Sequence, residues 1–171
     1  MKRIFVALGS LALLGTAAVA PASAGNYATV NQYGTWNNAA IAQQGFSNLG
    51  AIYQQGAVNH GQIQQQGGYN QGYVQQHGAV NYGSITQQGW YNTGILNQVG
   101  TFNNGQITQY GFYNAAGVFQ YGCANTASVN QAGNGNVAAV IQLSPCPGGS
   151  NNAAVYQNGA NNTAVIIQGQ F

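Results

Sequence analysis

From residue 26 onward the chain is one eleven-residue unit, N-x-[AG]-x-[IVL]-x-Q-x-G-x-x, written thirteen times. A repeat held in phase this way limits the fold to a stack of identical supersecondary pieces, because no single unit can bury a core of its own. Position 1 is Asn26, Asn37, Asn48, Asn59, Asn70, Asn81, Asn92, Asn103, Asn114, Asn125 and Asn136, and, after one insertion (143–150), Asn151 and Asn162. Position 7 is Gln32, Gln43, Gln54, Gln65, Gln76, Gln87, Gln98, Gln109, Gln120, Gln131, Gln142, Gln157 and Gln168. Position 3 is always Ala or Gly, and position 5 always Ile, Val or Leu. Position 9 is Gly except at Ser144 and Gln170. A Gln/Asn/Gly-rich composition alone suggests disorder, but low-complexity drift has no reason to hold these positions in register.

The spacing predicts strands. Positions 1, 3, 5 and 7 alternate with variable ones, and side chains alternate faces with period two in a strand. The unit therefore reads as a seven-residue strand with Asn, small, branched and Gln side chains pointing inward, then a four-residue corner that turns at the glycine. One buried branched residue contributes roughly 1.5–3 kcal/mol. Ordering eleven backbones costs about 11–22 kcal/mol, so stacking must supply the balance. With two strands per coil, odd units form one parallel sheet and even units a facing one. Facing strands run oppositely, so position 3 of one lies near position 5 of the other and small faces large, as Ala28 to Ile41. At the ends position 1 Asn faces position 7 Gln. Identical amides stacked at about 4.8 Å can bond to the copies above and below, which answers how buried amides are satisfied. The predicted fold is all-β: a parallel two-sheet β-solenoid with amyloid-like cross-β stacking, roughly 31 Å long at that rise.

Composition narrows the function. Lys2 and Arg3 are the only charged side chains, so residues 4–171 contain no Asp, Glu, Lys or Arg. There are no carboxylates for acid–base catalysis or hard cations, and no basic surface for nucleic acid. An enzyme, a cofactor site and a metal site are all unexpected. His60 reads as an outward residue and His77 as a corner residue, neither with a carboxylate or cysteine partner to make a metal site. The first residues read as an address. A basic start, an apolar stretch from Ile4 to Ala20 and Ala22-Ser23-Ala24 make a secretory signal peptide over 1–24, with the repeat region at 25–171. Export places Cys123 and Cys146 in an oxidising compartment. Their corners are one coil apart on one edge, a separation that suits a disulfide. Its loop is worth roughly 3–3.5 kcal/mol in the chain-entropy model. Two free thiols or a bridge between molecules is the alternative.

The unit resembles the curlin repeat of bacterial curli subunits, whose pattern is Ser-x5-Gln-x-Gly-x2-Asn-x-Ala-x3-Gln. Gln32-x-Gly34-x2-Asn37-x-Ala39-x3-Gln43 matches its central part, and Gln54-x-Gly56-x2-Asn59-x-Gly61-x3-Gln65 matches with Gly for Ala. Here Asn replaces the leading Ser and both corners carry Gly. The resemblance implies a structural subunit of an extracellular functional amyloid in the biofilm matrix, serving adhesion and aggregation. It implies passage through the periplasm and an outer-membrane secretion pore to the cell surface, with assembly on a surface nucleator. The residues add that the terminal units carry no charge or cap to blunt their edges, so the partner expected first is another copy, head to tail. Zero net charge on the mature chain removes long-range repulsion between copies.

Aromatics fill the variable positions, among them Tyr27, Trp36, Tyr69, Trp90, Tyr91 and Tyr113. They read as corner packing and lateral bundling, or as platforms for matrix polysaccharide. The alternative function is a monomeric secreted β-solenoid adhesin that binds polysaccharide or surfaces. An ice-binding solenoid would need a lattice of outward Thr, but positions 4 and 6 run Thr29/Asn31, Ala40/Ala42 and Ala51/Tyr53.

Overall fold

The computed structural model of the chain describes residues 16–19 and 25–169. Fourteen strands fall into two parallel sheets. The first sheet holds β1 (Thr16–Val19), β3 (Asn38–Phe46), β5 (His60–Gly68), β7 (Tyr82–Trp90), β9 (Asn104–Phe112), β11 (Thr126–Asn134) and β13 (Asn152–Ala160). The second holds β2 (Tyr27–Thr35), β4 (Leu49–Ala57), β6 (Gln71–Ala79), β8 (Thr93–Thr101), β10 (Ala115–Cys123), β12 (Val137–Ser144) and β14 (Thr163–Gly169). Even units make the first sheet and odd units the second. Register is strict: each residue pairs with its equivalent two units on, as Ile63 with Ile85 and Gln65 with Gln87. The fold is the expected all-β solenoid, one unit per strand.

The core is a single file of position 5 residues. Ile41, Ile52, Ile63, Ile85, Leu96 and Ile107 are fully buried, with Val74 and Val118 between and beyond them. Position 3 closes the gap from the facing sheet. A Cβ built on Gly50 would stand 2.9 Å from Ile41 Cγ2, and one on Gly61 would stand 2.9 Å from Ile52 Cγ2. Position 3 is glycine in the middle units, where the facing branched residue is mostly Ile or Leu. It is alanine toward the C-terminus, where position 5 is Val in every unit but the last. Volume is thus conserved along the axis, as a close-packed interior requires.

The corner differs from its sequence reading. Complete strands run nine residues, positions 2 to 10, not seven. The position 9 glycines lie inside the ladder, with φ between 102° and 122°. A Cβ on Gly89 would overlap the carbonyl oxygen of Gly111 in the next strand, so close backbone approach, besides φ, demands glycine. The turn itself falls at position 11. Trp36, Ser47, Val58, Tyr69, Val80, Tyr91, Phe102, Tyr113, Ala124 and Asn161 all stand there at φ 55–60°. Left-handed backbone costs a non-glycine residue about 1–2 kcal/mol and is least natural for β-branched valine. The stack compensates from Val58 onward, because each of these later N–H groups donates to a carbonyl one coil away, as Val58 to Thr35 at 3.0 Å.

The expected leader, residues 1–24, lies outside the described residues except for β1. That short strand pairs with the edge of β3, Val19 opposite Ile41. Leu143 and Ser144, assigned by sequence to the insertion, belong to β12, so the irregular loop begins at Pro145.

Candidate functional site

The buried amides form two ladders along the length of the solenoid. In the glutamine ladder each Nε2 donates to the Oε1 one coil toward the C-terminus, at 2.7–2.9 Å from Gln32 through Gln168. The second hydrogen crosses to the other sheet. Gln87 in β7 donates to the carbonyl of Gln71, at the start of β6, at 2.9 Å. Glutamine therefore joins its own sheet along the axis and ties the two sheets across the core.

The asparagine ladder runs the other way. Each Nδ2 donates to the Oδ1 one coil toward the N-terminus, at 2.9–3.2 Å from Asn48 to Asn26 up through Asn162 to Asn136. The same oxygen commonly accepts the backbone N–H of the asparagine above, as Asn70 accepts from Asn92 at 3.1 Å. The remaining Nδ2 hydrogen caps a corner carbonyl, Gly111 in the case of Asn92 at 2.9 Å.

At the ends of the facing strands each amide bonds to identical amides one coil away, not to the other residue type. Among the described residues no hydrogen bond joins an Asn side chain to a Gln side chain at these positions. The glutamine is long enough to reach backbone on the facing strand. The asparagine, just before its strand and after a left-handed residue, is turned into its own corner.

Most ladder residues are buried. Gln32 and Gln168 are half-buried, and Asn162 is exposed. The ends of the ladders are open and of opposite character. At the N-terminal end Gln43 Oε1 is buried with no partner. At the C-terminal end Gln157 and Gln168 each use one amide hydrogen, on Val137 O and Asn152 O at 3.0 and 2.9 Å, where interior glutamines use both. In the glutamine ladder, then, the N-terminal end lacks a donor and the C-terminal end holds spare ones.

Cys123 and Cys146 are joined by a disulfide, with Cα atoms 5.6 Å apart and a sequence separation of 23. It fastens the end of β10 to the insertion. Beyond the insertion the ladder resumes, with Asn151 Nδ2 on Asn125 Oδ1 at 3.1 Å. His60 stacks on Tyr82, ring centroids 5.0 Å apart. His77 lies within β6 on the outer face, not in the corner, because strands extend through position 10. Among the described residues no three His, Cys, Asp or Glu side chains gather at one place.

The aromatics contain an arrangement that sequence reasoning missed. Tyr69, Tyr91 and Tyr113 occupy position 11 of successive even units and stack with centroids 4.8 and 4.9 Å apart and planes within 4°. Trp90 reaches down over Gly68 to Phe46, centroids 4.9 Å apart. Their eleven-residue phase was visible, but the left-handed corner that aligns them was not. In the tyrosine stack the inner ring faces are used on one another. A sugar-binding platform needs free faces.

A family model, the curlin associated repeat, matches residues 24–56 and 100–133. No curated protein and no solved structure matches the chain. The matched segments cover units 1 to 3 and 8 to 10, and the ladders run unchanged through the units between and after them. Over those two segments the chain is similar to the curlin associated repeat.

Proposed function

We propose that the chain is the structural subunit of a curli-like extracellular amyloid fibre of the biofilm matrix, growing head to tail and serving adhesion and aggregation. Likeness of two segments to the curlin associated repeat supports a scaffolding role over an enzymatic one. The leader over 1–24 would be removed on export, and passage through a secretion pore and a surface nucleator would follow the family pattern.

The observation that carries the reading is the complementarity of the open ladder ends. The Gln43 acceptor lacks a donor, and the amides at Gln157 and Gln168 have hydrogens to give. Stacking the start of one copy on the end of another satisfies both, whereas joining two like ends satisfies neither. An unpaired buried acceptor costs about 1–3 kcal/mol, so the mismatch favours one polarity of growth. A contact between unlike ends does not close on itself and generates a filament. The open edge also accepts a strand within the chain, since β1 pairs there with β3.

The test is a thioflavin T time course on residues 25–171 at micromolar concentration, with and without preformed seeds. The expected result is a lag phase that seeds abolish. A chain that remains monomeric for days while rich in β-structure would overturn the fibre and favour the adhesin.

A further inference from the structure

The two outer faces of the solenoid are not alike. On the first sheet the outward positions of β9, β11 and β13 carry Gln106, Thr108, Ser128, Asn130 and Asn158, interspersed with Tyr110, Ala132, Ala154 and Tyr156 but with no Ile, Leu or Val. The equivalent positions of β8, β10, β12 and β14 on the second sheet include Ile95, Phe119, Ile141, Leu143, Val165 and Ile167, with Asn97 the one polar residue in these rows. Ile95, Val165 and Ile167 are 43%, 62% and 68% exposed. The patch is low in relief at its centre. A Cβ on Gly117 would stand 3.0 Å from Phe119 Cε2, so that ring lies along its own strand rather than rising from it. The apolar face is confined to the C-terminal half of the sheet. In β6 the same rows carry Gln75 and His77.

We infer that this face is a lateral interface that pairs two filaments through the same patch on a second copy of the chain. The inference rests on the fibre reading and adds a second direction of assembly. Four strands about 4.8 Å apart, over seven residues at about 3.3 Å each, make a patch of roughly 400 Å². That is the size at which a contiguous apolar surface marks an interaction site. Two copies face to face cover about 800 Å², short of the roughly 1,200–2,000 Å² of a stable complex between two single molecules. One pair of free chains therefore does not hold together. Two filaments do, because the contact recurs at every subunit and each further one is intramolecular. The occupant follows from charge and spacing. Residues 4–171 carry no ionic side chain to pair with a charged partner or anionic lipid, and none to repel an identical face. A second copy also presents rows at the same strand repeat, so side chains can interdigitate as in a dry sheet-to-sheet interface.

The test is electron microscopy of filaments grown from residues 25–171 and from the triple variant Ile141→Gln, Val165→Gln, Ile167→Gln. Glutamine already stands at these outward positions in Gln62, Gln64 and Gln75, so the fold tolerates it. Wild type is expected in laterally paired filaments. In the variant the paired fraction should fall at least fivefold, with the seeded elongation rate within twofold of wild type. A second variant, Gln106→Ile, Ser128→Val, Asn130→Ile, makes the first sheet apolar and should convert pairs into wider ribbons. Pairs that persist in the glutamine variant overturn the inference. So do wild-type filaments that stay single, including single filaments that co-sediment with phosphatidylcholine vesicles, which would assign the face to lipid. If wild type forms no filament at all, the fibre reading fails first and the lateral interface with it.

Discussion

The asparagine corner and the glutamine core use the same carboxamide on side chains that differ by one methylene, yet they do different work. Glutamine donates toward the C-terminal end and across to the facing sheet. Asparagine donates toward the N-terminal end and holds its own corner. The opposed directions mean that neither end of the solenoid is all donor or all acceptor. The length difference decides the partners: the longer side chain reaches across the core, and the shorter one reaches only the turn beside it.

The corner is expected to be the less tolerant of the two. Asn92 is joined to Asn70 and Gly111 as donor and to the backbone and side-chain N–H groups of Asn114 as acceptor. Asn92→Ala would strand the Asn114 N–H and the Gly111 carbonyl, and would leave Tyr91 in left-handed backbone with less to hold it there. Two or more buried orphans at about 1–3 kcal/mol each give a loss of roughly 3–5 kcal/mol. Guanidinium unfolding followed by far-UV circular dichroism measures it. A loss below about 1 kcal/mol would mean that water replaces the cap and that the corner is not the stronger site.

Gln87→Leu should cost less, about 2–3 kcal/mol in the same measurement. It deletes three bonds, to Gln71 O, Gln109 Oε1 and Gln65 Nε2. However, Gln65 keeps its second bond to Leu49 O, and leucine fills similar space beside the apolar file. If Gln87→Leu proved more damaging than Asn92→Ala, the cross-sheet tie would outweigh the corner and the comparison would reverse.

The repeat made much of this legible because the stacked positions cannot vary independently. Asn, a small residue, a branched residue and Gln recur in phase since each meets its own copy one coil away. The two-sheet arrangement and the meeting of small with large follow from that phase alone. The turn at position 11 was hidden for a physical reason. Its backbone is imposed by hydrogen bonds from the stack, so Val58, Tyr69 and Ala124 adopt the same left-handed conformation despite unlike side chains, and the residue type carries no signal. Glycine at position 9 drew the turn to itself, although its strict need is close approach to the next carbonyl. The asymmetric outer faces were hidden because a consensus averages over the variable positions, and Ile141 and Asn130 become equivalent only once the two sheets are separated.

The end of the glutamine ladder gives the smallest effect and the most direct link between the ladders and assembly. Gln168 accepts from Gln142 and donates to Asn152 O, the latter in an exposed contact. In the free chain Gln168→Leu should cost no more than about 1 kcal/mol, since water can take over what it leaves. In a head-to-tail filament the same residue becomes interior. Its spare hydrogen then meets an acceptor on the next copy, and its loss should approach that of Gln87→Leu. A penalty of about 1.4 kcal/mol beyond that of the free chain is a tenfold rise in the concentration of subunit left in solution at the end of growth. Equal penalties in the free chain and the filament would show that Gln168 stays at a solvent-facing end after assembly, and would remove the ladder from the growth mechanism while leaving its role inside the subunit intact.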